Sequence, residues 1–170
     1  MPVTYRDAVS GDGPSLDAFA RAIWVETFGH ASSPEDQRAY LATAYGPAGK
    51  LLADLQAGAA RYHVAVRDGA IVGYAKLAAP WLPDAEPAAM QLSQLYVAGD
   101  LHGAGVGHAL LDWTIAASRE TGATVLLLTV WEHNARGYRF YQKRGFTYVG
   151  DYAFPVGDQI DTDHIMRLAI

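Results

Sequence analysis

The sequence predicts an α/β fold, in which one mixed β-sheet carries helices on both of its faces. Three observations support this prediction. Segments with apolar residues at helical spacing alternate along the chain with segments that show strand spacing. The run from Thr124 to Trp131 is apolar and rich in β-branched residues, as in a strand that is buried on both sides. A glycine-rich turn, Gly103 to Gly107, connects a predicted strand to a predicted helix.

The length and composition favour a single domain. The chain has 170 residues, of which 51% are hydrophobic and 18% are charged, so it can bury a core and is not expected to be disordered. It contains no internal repeat and no low-complexity run. We therefore predict one domain over residues 1–170, with the proline-rich stretch Pro80 to Pro87 as a loop within it.

The first third of the chain predicts one strand and three helices. Val3 to Arg6 has the pattern of a short strand, and the apolar spacing from Pro14 to Phe28 is that of a helix. Ser33, followed by a proline and two acidic residues, predicts the start of a second helix, which ends at Gly46-Pro47. A cluster of leucines before Gly58 predicts a third, short helix.

The middle of the chain changes to strand spacing. Tyr62 to Val66 alternates between apolar and polar residues, Asp68-Gly69 is typical of a hairpin turn, and Ile71 to Ala78 predicts the returning strand. Met90 to Val97 predicts the next strand.

The last third completes the sheet. Apolar residues from Val106 to Ala117 share one helical face, and Thr124 to Trp131 is the buried strand. Asn134 to Lys143 predicts a helix that a glycine ends. Phe146 to Phe154 and Ile160 to Leu168 predict a closing pair of strands.

Charge and composition exclude several classes of function. The net charge of −5, without a basic stripe, predicts no nucleic-acid partner. The chain has no cysteine, so a disulfide, a thiolate metal site and a cysteine nucleophile are excluded. The six histidines lack metal-binding spacing, and we predict no metal. No apolar run approaches the roughly 18 residues of a membrane span, and no signal peptide is evident, so a cytoplasmic location without a membrane partner is expected.

The glycine-rich turn from His102 to Gly107 is suited to binding phosphate. Backbone N–H groups in such a turn can point into one concavity, and the N-terminus of the following helix attracts anions. The spacing does not fit a dinucleotide fingerprint, because His108 stands where its third glycine belongs, and no Walker-type Gly-Lys-Ser/Thr follows. The alternative is a tight connection between a strand and a helix that binds no ligand.

Two motifs in the same order resemble the GCN5-related N-acetyltransferase (GNAT) superfamily. The first is Gln/Arg-x-x-Gly-x-Gly/Ala between a strand and a helix, here His102 to Gly107, with His102 where Gln or Arg is usual. The second is an Asn after a buried strand, followed by aromatic-Tyr-x-x-x-Gly-Phe, here Asn134 and Phe140 to Phe146. The resemblance implies a mostly antiparallel sheet in which one pair of parallel strands splays apart, with acetyl-coenzyme A as cosubstrate in the gap.

The resemblance also implies which residues contact acetyl-coenzyme A. The pantetheine arm is expected to pair with the strand around Tyr96, and a backbone N–H there would polarise the thioester carbonyl. Asn134 is expected to bind the arm, to cap its helix, or both. The expected contacts are Leu95, Tyr96, Val97, His102, Gly103, Ala104, Gly105, Val106, Gly107, Asn134 and Tyr141.

The same resemblance implies a direct transfer, in which Tyr141 protonates the thiolate that leaves. The alternative for Tyr141 is a core aromatic residue. The general base is left open, because the strand before the turn carries no carboxylate and Ser93 stands where the subgroup pattern has Glu. Water held by Ser93 and Tyr96 could accept the proton, or a carboxylate, Glu26 or Glu132, could be brought near. Glu26 could equally be a solvated helix residue.

Further segments resemble the PaiA-type bacterial polyamine N-acetyltransferases and extend the resemblance over nearly the whole chain. They are Glu26 to Phe28, Ser33 to Asp36, Gly73 to Leu77, Val130 to Glu132, Gly157 to Gln159 and Thr162-Asp163. They imply acetylation of a primary amine of a small molecule, for example the polyamines spermidine and spermine. Alternatives are another amine, including a protein N-terminus, and a non-catalytic acyl-coenzyme A binding module. A nucleotide phosphotransferase is disfavoured by the glycine spacing. A homodimer is implied by resemblance only.

Four aromatic residues are candidates for the acceptor pocket, since aromatic faces suit cationic amines. Trp24 and Trp131 are better explained as ordinary core residues. Trp81, in the proline-rich loop, is the better candidate for a lid over the site, and Tyr45 is the fourth.

Overall fold

A computed structural model describes residues 2–170, and its elements follow the predicted order. All predicted helices and strands are present, with ends shifted by no more than a residue or two, except that the helix beginning at Val106 extends three residues beyond Ala117. The strands are β1 (Thr4–Asp7), β2 (Ala60–Arg67), β3 (Ala70–Ala78), β4 (Ala89–Val97), β5 (Val125–Trp131), β6 (Thr147–Val156) and β7 (Gln159–Ala169), and the helices are α1 (Gly13–Phe28), α2 (Pro34–Ala44), α3 (Lys50–Ala57), α4 (Val106–Glu120) and α5 (Ala135–Lys143).

Local chemistry explains where several elements begin and turn. The Ser33 hydroxyl accepts a hydrogen bond of 3.1 Å from the N–H of Asp36, so it caps α2 as predicted. Asp68 and Gly69 have φ of 52° and 78°, the left-handed pair that a tight turn between β2 and β3 requires.

The seven strands form one mixed sheet in the order β1-β2-β3-β4-β5-β7-β6. Only β4 and β5 are parallel, and the other neighbouring pairs are antiparallel. Helices cover both faces. On one face, Leu110 of α4 packs with Leu126 and Leu128 of β5; on the other, Leu16 and Trp24 of α1 belong to the core of β2 and β3. This arrangement confirms the predicted fold class.

The parallel pair separates after a short paired segment. Ala89–Gln91 of β4 pairs with Val125–Leu127 of β5, and no pairing continues beyond it. The pairing of β4 with β3, on its other side, shifts register: Lys76 pairs with Gln94, but Leu77 pairs with Leu92. Ser93 is therefore the extra residue of a β-bulge. Because a bulge bends its strand, β4 turns away from β5 at this point and a wedge opens between them.

No helix within residues 2–170 combines the length and the apolar character that a membrane crossing needs.

Candidate active site

The wedge between β4 and β5 is the centre of a cleft of about 860 Å³. One half of the cleft is bounded by the glycine-rich turn and by α5, and the other by α1, α2, the proline-rich loop and the hairpin of β6 and β7. Most of the residues predicted to contact the cosubstrate line it: Leu95, Tyr96, Val97, His102, Gly103, Gly105, Gly107, Asn134 and Tyr141.

The glycine-rich turn leaves several backbone N–H groups without an acceptor. Gly103 and Gly105 have φ of 82° and 86°, a left-handed conformation that glycine adopts without steric cost. Within residues 2–170, the amides of Gly103, Gly105 and Gly107 donate to no protein atom, and the last of them lies in the first turn of α4. A Cβ built at Gly103 or Gly105 would meet no atom within 4 Å. Free amides, open space and a helix N-terminus together fit a diphosphate.

Two residues of the turn stand outside the cleft lining. Val106 is 2% exposed and belongs to the core under α4, and Ala104 is exposed at the surface. A contact from either residue to the cosubstrate would therefore have to come from the backbone.

His102 contacts a positively charged side chain from another element, which the sequence did not reveal. Its Nε2 atom lies 3.0 Å from the Val97 carbonyl oxygen and 3.0 Å from Nη2 of Arg136. Arg136 belongs to the first turn of α5 and lines the cleft. A guanidinium therefore stands next to the free amides, where the superfamily motif usually places Gln or Arg. The missed signal was a basic residue two positions after Asn134.

Asn134 has the capping role that the sequence predicted. Its Oδ1 accepts a hydrogen bond of 3.0 Å from the N–H of Gly137, at the start of α5. A Cβ at Gly137 would lie 2.7 Å from Asn134 Nδ2, so a larger residue there would displace the capping amide. Both residues line the cleft, which leaves the Asn134 amide group available to a ligand.

Tyr141 lies on α5, between two aromatic rings. Phe140 and Phe146 contact it edge-on, with ring centroids 5.2 and 5.6 Å away. Its hydroxyl has no hydrogen-bond partner among residues 2–170, and it lines the cleft. Burial raises the pKa of Tyr141 above its ordinary value of 10. The phenol is therefore neutral, and able to donate a proton, over the whole range in which enzymes work.

The candidates for the base occupy different environments. Ser93, at the β4 bulge, lines the cleft, and its Oγ is buried without a partner among residues 2–170. Burial raises the pKa of the nearby Tyr96 phenol well above 10. Glu26 is exposed on α1 and does not line the cleft. Its carboxylate lies next to Gly99, where a Cβ atom would be 3.5 Å from Oε1. Glu132 is also exposed and lies outside it. The structure thus brings Ser93 and Tyr141 to one cleft, and leaves both glutamates out of it.

The other half of the cleft is walled by aromatic rings in mutual contact. The rings of Trp24 and Tyr40 stack at 4.7 Å, and Phe28 contacts Trp131 edge-on at 5.5 Å. Trp81 packs 5.0 Å from Tyr152 and is 38% exposed at the rim. Trp24 is a core residue as expected, yet it also lines this wall. We call this half the aromatic chamber; its rings are Trp24, Phe28, Tyr40, Trp81, Trp131, Tyr152 and Phe154.

Two carboxylates of β7, Asp161 and Asp163, reach the aromatic chamber. Asp163 is 8% exposed and forms no ion pair within residues 2–170. Burial raises its pKa to about 6; Asp161 adds to the effect, and the Thr129 hydroxyl opposes it. The sequence predicted no chemical role for Asp163, because the local sequence does not show which residues of a strand will face a cleft.

A buried ion pair closes one end of the cleft. The Nζ of Lys76, on β3, lies 2.7 Å from Oδ2 of Asp54, on α3, and the lysine is 6% exposed. Lys50 donates to the other oxygen of the same carboxylate at 3.0 Å. The two lysines thus share one carboxylate, and the pair of Lys76 and Asp54 links α3 to the sheet.

The sequence profile of the Acetyltransferase (GNAT) family matches residues 18–146. The chain belongs to this family. The matched range includes the glycine-rich turn, Asn134 and Tyr141. Like other GNAT proteins, this one is an acetyl-coenzyme A-dependent N-acetyltransferase.

Curated relatives support the GNAT assignment without naming an acceptor. An uncharacterised N-acetyltransferase of Lactobacillus delbrueckii subsp. lactis is 29% identical over 161 residues, which cover 94% of this chain and 92% of that protein. An uncharacterised N-acetyltransferase of Mycobacterium tuberculosis is 37% identical over 99 residues, which cover 58% of this chain and 60% of that protein.

Solved structures share the GNAT fold along the whole chain. The PaiA N-acetyltransferase of Thermoplasma acidophilum, solved in complex with coenzyme A, superposes with a TM-score of 0.79 at 21% identity and covers 100% of both chains. YncA of Salmonella typhimurium, a putative acetyltransferase solved with acetyl-CoA, gives a TM-score of 0.75 at 20% identity and covers 99% of this chain and 94% of that one. At these identities the likeness concerns the fold.

Proposed function

We propose that the protein acetylates a primary amine of a small cationic molecule, and that polyamines such as spermidine and spermine are its acceptor class. One observation carries the proposal: a single cleft connects the free amides of the glycine-rich turn to the aromatic chamber with its carboxylates. The amides suit the diphosphate of acetyl-coenzyme A. Aromatic faces and carboxylates suit an alkylammonium. The sequence resemblance to the PaiA-type polyamine N-acetyltransferases implies the same acceptor class, and a PaiA N-acetyltransferase shares the fold.

In the proposed reaction, the edge of β4 that β5 leaves unpaired binds the pantetheine arm along Leu95–Val97. The amides of the turn and Arg136 hold the diphosphate, and Asn134 contacts the arm. The thioester then lies in the wedge, next to the aromatic chamber. Because amine and thioester are held together, much of the rate enhancement comes from proximity and orientation.

Proton transfer completes the reaction. The amine nitrogen bonds to the thioester carbon as the C–S bond breaks, and the leaving thiolate takes the proton of the Tyr141 hydroxyl. Ser93, with its unpartnered hydroxyl at the bulge, orients water beside the reacting nitrogen. Glu26 is the other candidate from the sequence, and it would have to act from outside the cleft lining.

A homodimer is a further part of this proposal. β6 is an edge strand of the sheet, and its Tyr148 and Val149 are 50% and 52% exposed. Such an edge is available for pairing with a second copy. Sedimentation at micromolar concentration would report a mass twice that of the 18.3 kDa chain if the dimer forms.

Release of coenzyme A thiol tests the proposed function directly. The chain has no cysteine, so a thiol reagent reports only the product. We expect turnover with acetyl-coenzyme A and a panel of amines, with the highest kcat/KM for spermidine or spermine. Glucosamine, amino acids and a peptide with a free N-terminus are the comparison acceptors. Tight binding of acetyl-coenzyme A without thiol release for any amine would contradict the proposal.

A further inference from the structure

Asp163 is a buried carboxylate for which the fold supplies no cation. On β7 it is the register partner of Trp131 on β5 and of Tyr152 on β6, so it lies on the floor of the aromatic chamber. Burying an unpaired carboxylate costs free energy, since the charge loses its water and gains no ion pair. A protein keeps such a group more readily where a ligand supplies the missing partner.

The groups around Asp163 strengthen this need for a cation. Asp161, two residues before it, repels the Asp163 charge, His164 attracts it less strongly than Asp161 repels it, and Glu132, after β5, adds a weaker repulsion. From α2, Tyr40 faces it, and burial together with the Asp163 charge raises the pKa of that phenol to about 12. His164 lies on the opposite face of β7, with Nδ1 2.8 Å from Asp151, so it faces away from the chamber. The two lysines at the end of the cleft are already paired with Asp54.

Asp163 is also in electrostatic reach of the centre that carries out the transfer. Its charge and the Tyr141 phenol both act on Tyr96, which lies on the β4 edge where the thioester is proposed to bind. All three residues line the same cleft. A group bound at Asp163 would therefore share the cleft with the reacting thioester and act on it electrostatically.

We propose that Asp163 binds the ammonium group of the acceptor and takes its proton, so that the free amine attacks the thioester. This inference rests on the proposed function and supplies the carboxylate that β4 lacks. It replaces neither Tyr141, which acts on the second proton, nor Ser93, which orients water.

The proposed step moves two protons from the acceptor nitrogen, one to Asp163 and one to Tyr141. The ammonium gives one proton to the Asp163 carboxylate and becomes a neutral amine, and the carboxyl group later releases that proton to solvent. The amine nitrogen then bonds to the carbonyl carbon and loses its second proton as the amide forms. That second proton restores the Tyr141 phenol, which has protonated the departing thiolate. The sum is ammonium plus thioester going to amide, thiol and one released proton.

The acid–base properties of Asp163 agree with this role. An alkylammonium in water has a pKa of about 10, and a carboxylate with an ordinary pKa is a weak base towards it. Burial reduces the difference between the two pKa values, because it raises the pKa of a carboxyl group and lowers that of an ammonium. With a pKa of about 6, Asp163 is mostly ionised at neutral pH and still basic enough to accept a proton.

The test compares two acceptors in the Asp163→Asn variant. Spermidine is protonated at pH 8, and trifluoroethylamine is a primary amine that is uncharged there. We expect kcat/KM for spermidine to fall by about 100-fold, and that for trifluoroethylamine by less than about fivefold, because only the first acceptor has a proton to give up. In the wild type, kcat/KM for spermidine should rise from pH 5 to pH 7. Asp163→Glu should restore part of the activity with spermidine.

The control is Asp68→Asn, the same chemical change in the exposed turn between β2 and β3, where φ is 52° and Asn is well tolerated. It should leave both acceptors and the pH profile unchanged. Calorimetric affinity for acetyl-coenzyme A, and the circular dichroism spectrum, should be the same in all variants.

The outcomes distinguish a failure of the role of Asp163 from a failure of the proposed function. Equal losses for spermidine and trifluoroethylamine, or a loss below about threefold for spermidine, would overturn the role of Asp163 while the acetyltransferase remained active. A wild-type protein that acetylates no amine would overturn the proposed function, and the role of Asp163 with it.

Discussion

The guanidinium of Arg136 lies against the imidazole ring of His102, with Nη2 3.0 Å from Nε2, although the two residues are 34 positions apart. His102 follows β4 and Arg136 begins α5, so the contact spans the open end of the wedge. It places a fixed positive charge beside the backbone amides of the glycine-rich turn. Where the GNAT motif usually has Gln or Arg, this chain has His102 in contact with an arginine from a distant element.

This contact predicts that Arg136→Gln raises the Kd for acetyl-coenzyme A about 10- to 100-fold, since a hydrogen bond to a charged group contributes about 1.5 to 3 kcal/mol. The wild-type Kd should rise with salt more steeply than that of the variant. Titration calorimetry at two salt concentrations measures both effects. Arg139→Gln, on the same helix but outside the cleft, is the control and should change neither. An unchanged Kd in Arg136→Gln would show that the guanidinium serves His102 only.

The glycine-rich turn predicts separate effects on stability and on binding. Gly105→Ala and Gly69→Ala both place a Cβ at a left-handed φ, 86° and 78°, and neither Cβ would meet an atom within 4 Å. Each should lower the free energy of unfolding by about 1 kcal/mol. Only Gly105→Ala should also raise the Kd for acetyl-coenzyme A, by about tenfold, because its Cβ occupies the space beside the free amides. Urea unfolding and calorimetry check the two effects. Equal binding by the two variants would contradict a diphosphate site at this turn.

Tyr141→Phe should lower kcat about 100-fold, because it removes the proton donor for the leaving thiolate. The Kd for acetyl-coenzyme A should stay the same, since the ring and its contacts with Phe140 and Phe146 remain. Stopped-flow measurement of thiol release and calorimetry separate the two quantities. Tyr148→Phe, on the exposed edge strand, is the matched control. Full turnover in Tyr141→Phe, with a normal pH dependence, would exclude the phenol as the acid.

Because the pKa of Asp163 is raised in the folded state, we expect the free energy of unfolding to depend on pH. The folded state holds the proton up to about pH 6, and the unfolded carboxyl releases it near 3.8. Its stabilising contribution is therefore complete below pH 3.8 and is lost as the pH rises through 6. At pH 8 the buried charge costs up to about 3 kcal/mol. Asp163→Asn should thus be more stable than wild type at pH 8, by about 1 to 3 kcal/mol, and equally stable near pH 4. Urea titrations at both pH values measure this; a less stable variant at pH 8 would contradict it.

The pair of Lys76 and Asp54 predicts a large loss of stability when one charge is removed. Asp54→Asn leaves a lysine that is 6% exposed without its counter-ion, and should cost about 3 kcal/mol. Asp100→Asn breaks the exposed pair with Arg67, at 2.8 Å, and should lower the free energy of unfolding much less, because water screens an exposed pair. Chemical unfolding of both variants gives the comparison. A smaller loss in Asp54→Asn than in Asp100→Asn would mean that water reaches Lys76 readily.

Local patterns predicted most of the fold. The cap at Ser33, the Asp68-Gly69 turn and the buried strand β5 depend on backbone conformation and on side chains a few residues apart, and each was found where predicted. Gly103 and Gly105 belong to the same class, because a left-handed turn needs glycine whatever surrounds it. The resemblance to the superfamily, and not periodicity, supplied the parallel pairing of β4 and β5.

Residues far apart in the chain form the rest of the candidate site, and local patterns do not show which of them reach it. Glu26 and Asp163 each have a carboxylate and a place in a family-like segment, yet only Asp163 lines the cleft. Arg136 and Asp163 had been assigned no chemical role, yet both line the cleft. The identity of a residue in a strand does not show which strands will lie beside it. Asp163 reaches the aromatic chamber only because β7 lies between β5 and β6 in the sheet.

The sequence by itself determined the order of elements and the amide-rich turn that suits a diphosphate, because both depend on interactions within a few residues. The tertiary structure decided which charges and rings meet around the reacting groups. The bulge at Ser93 opens the wedge, and the order β5-β7-β6 brings Asp163 under the rings of α1 and α2. Burial then sets the proton affinity of Asp163 and Tyr141, because the cost of a charge depends on what surrounds it in space and not on its neighbours in the chain.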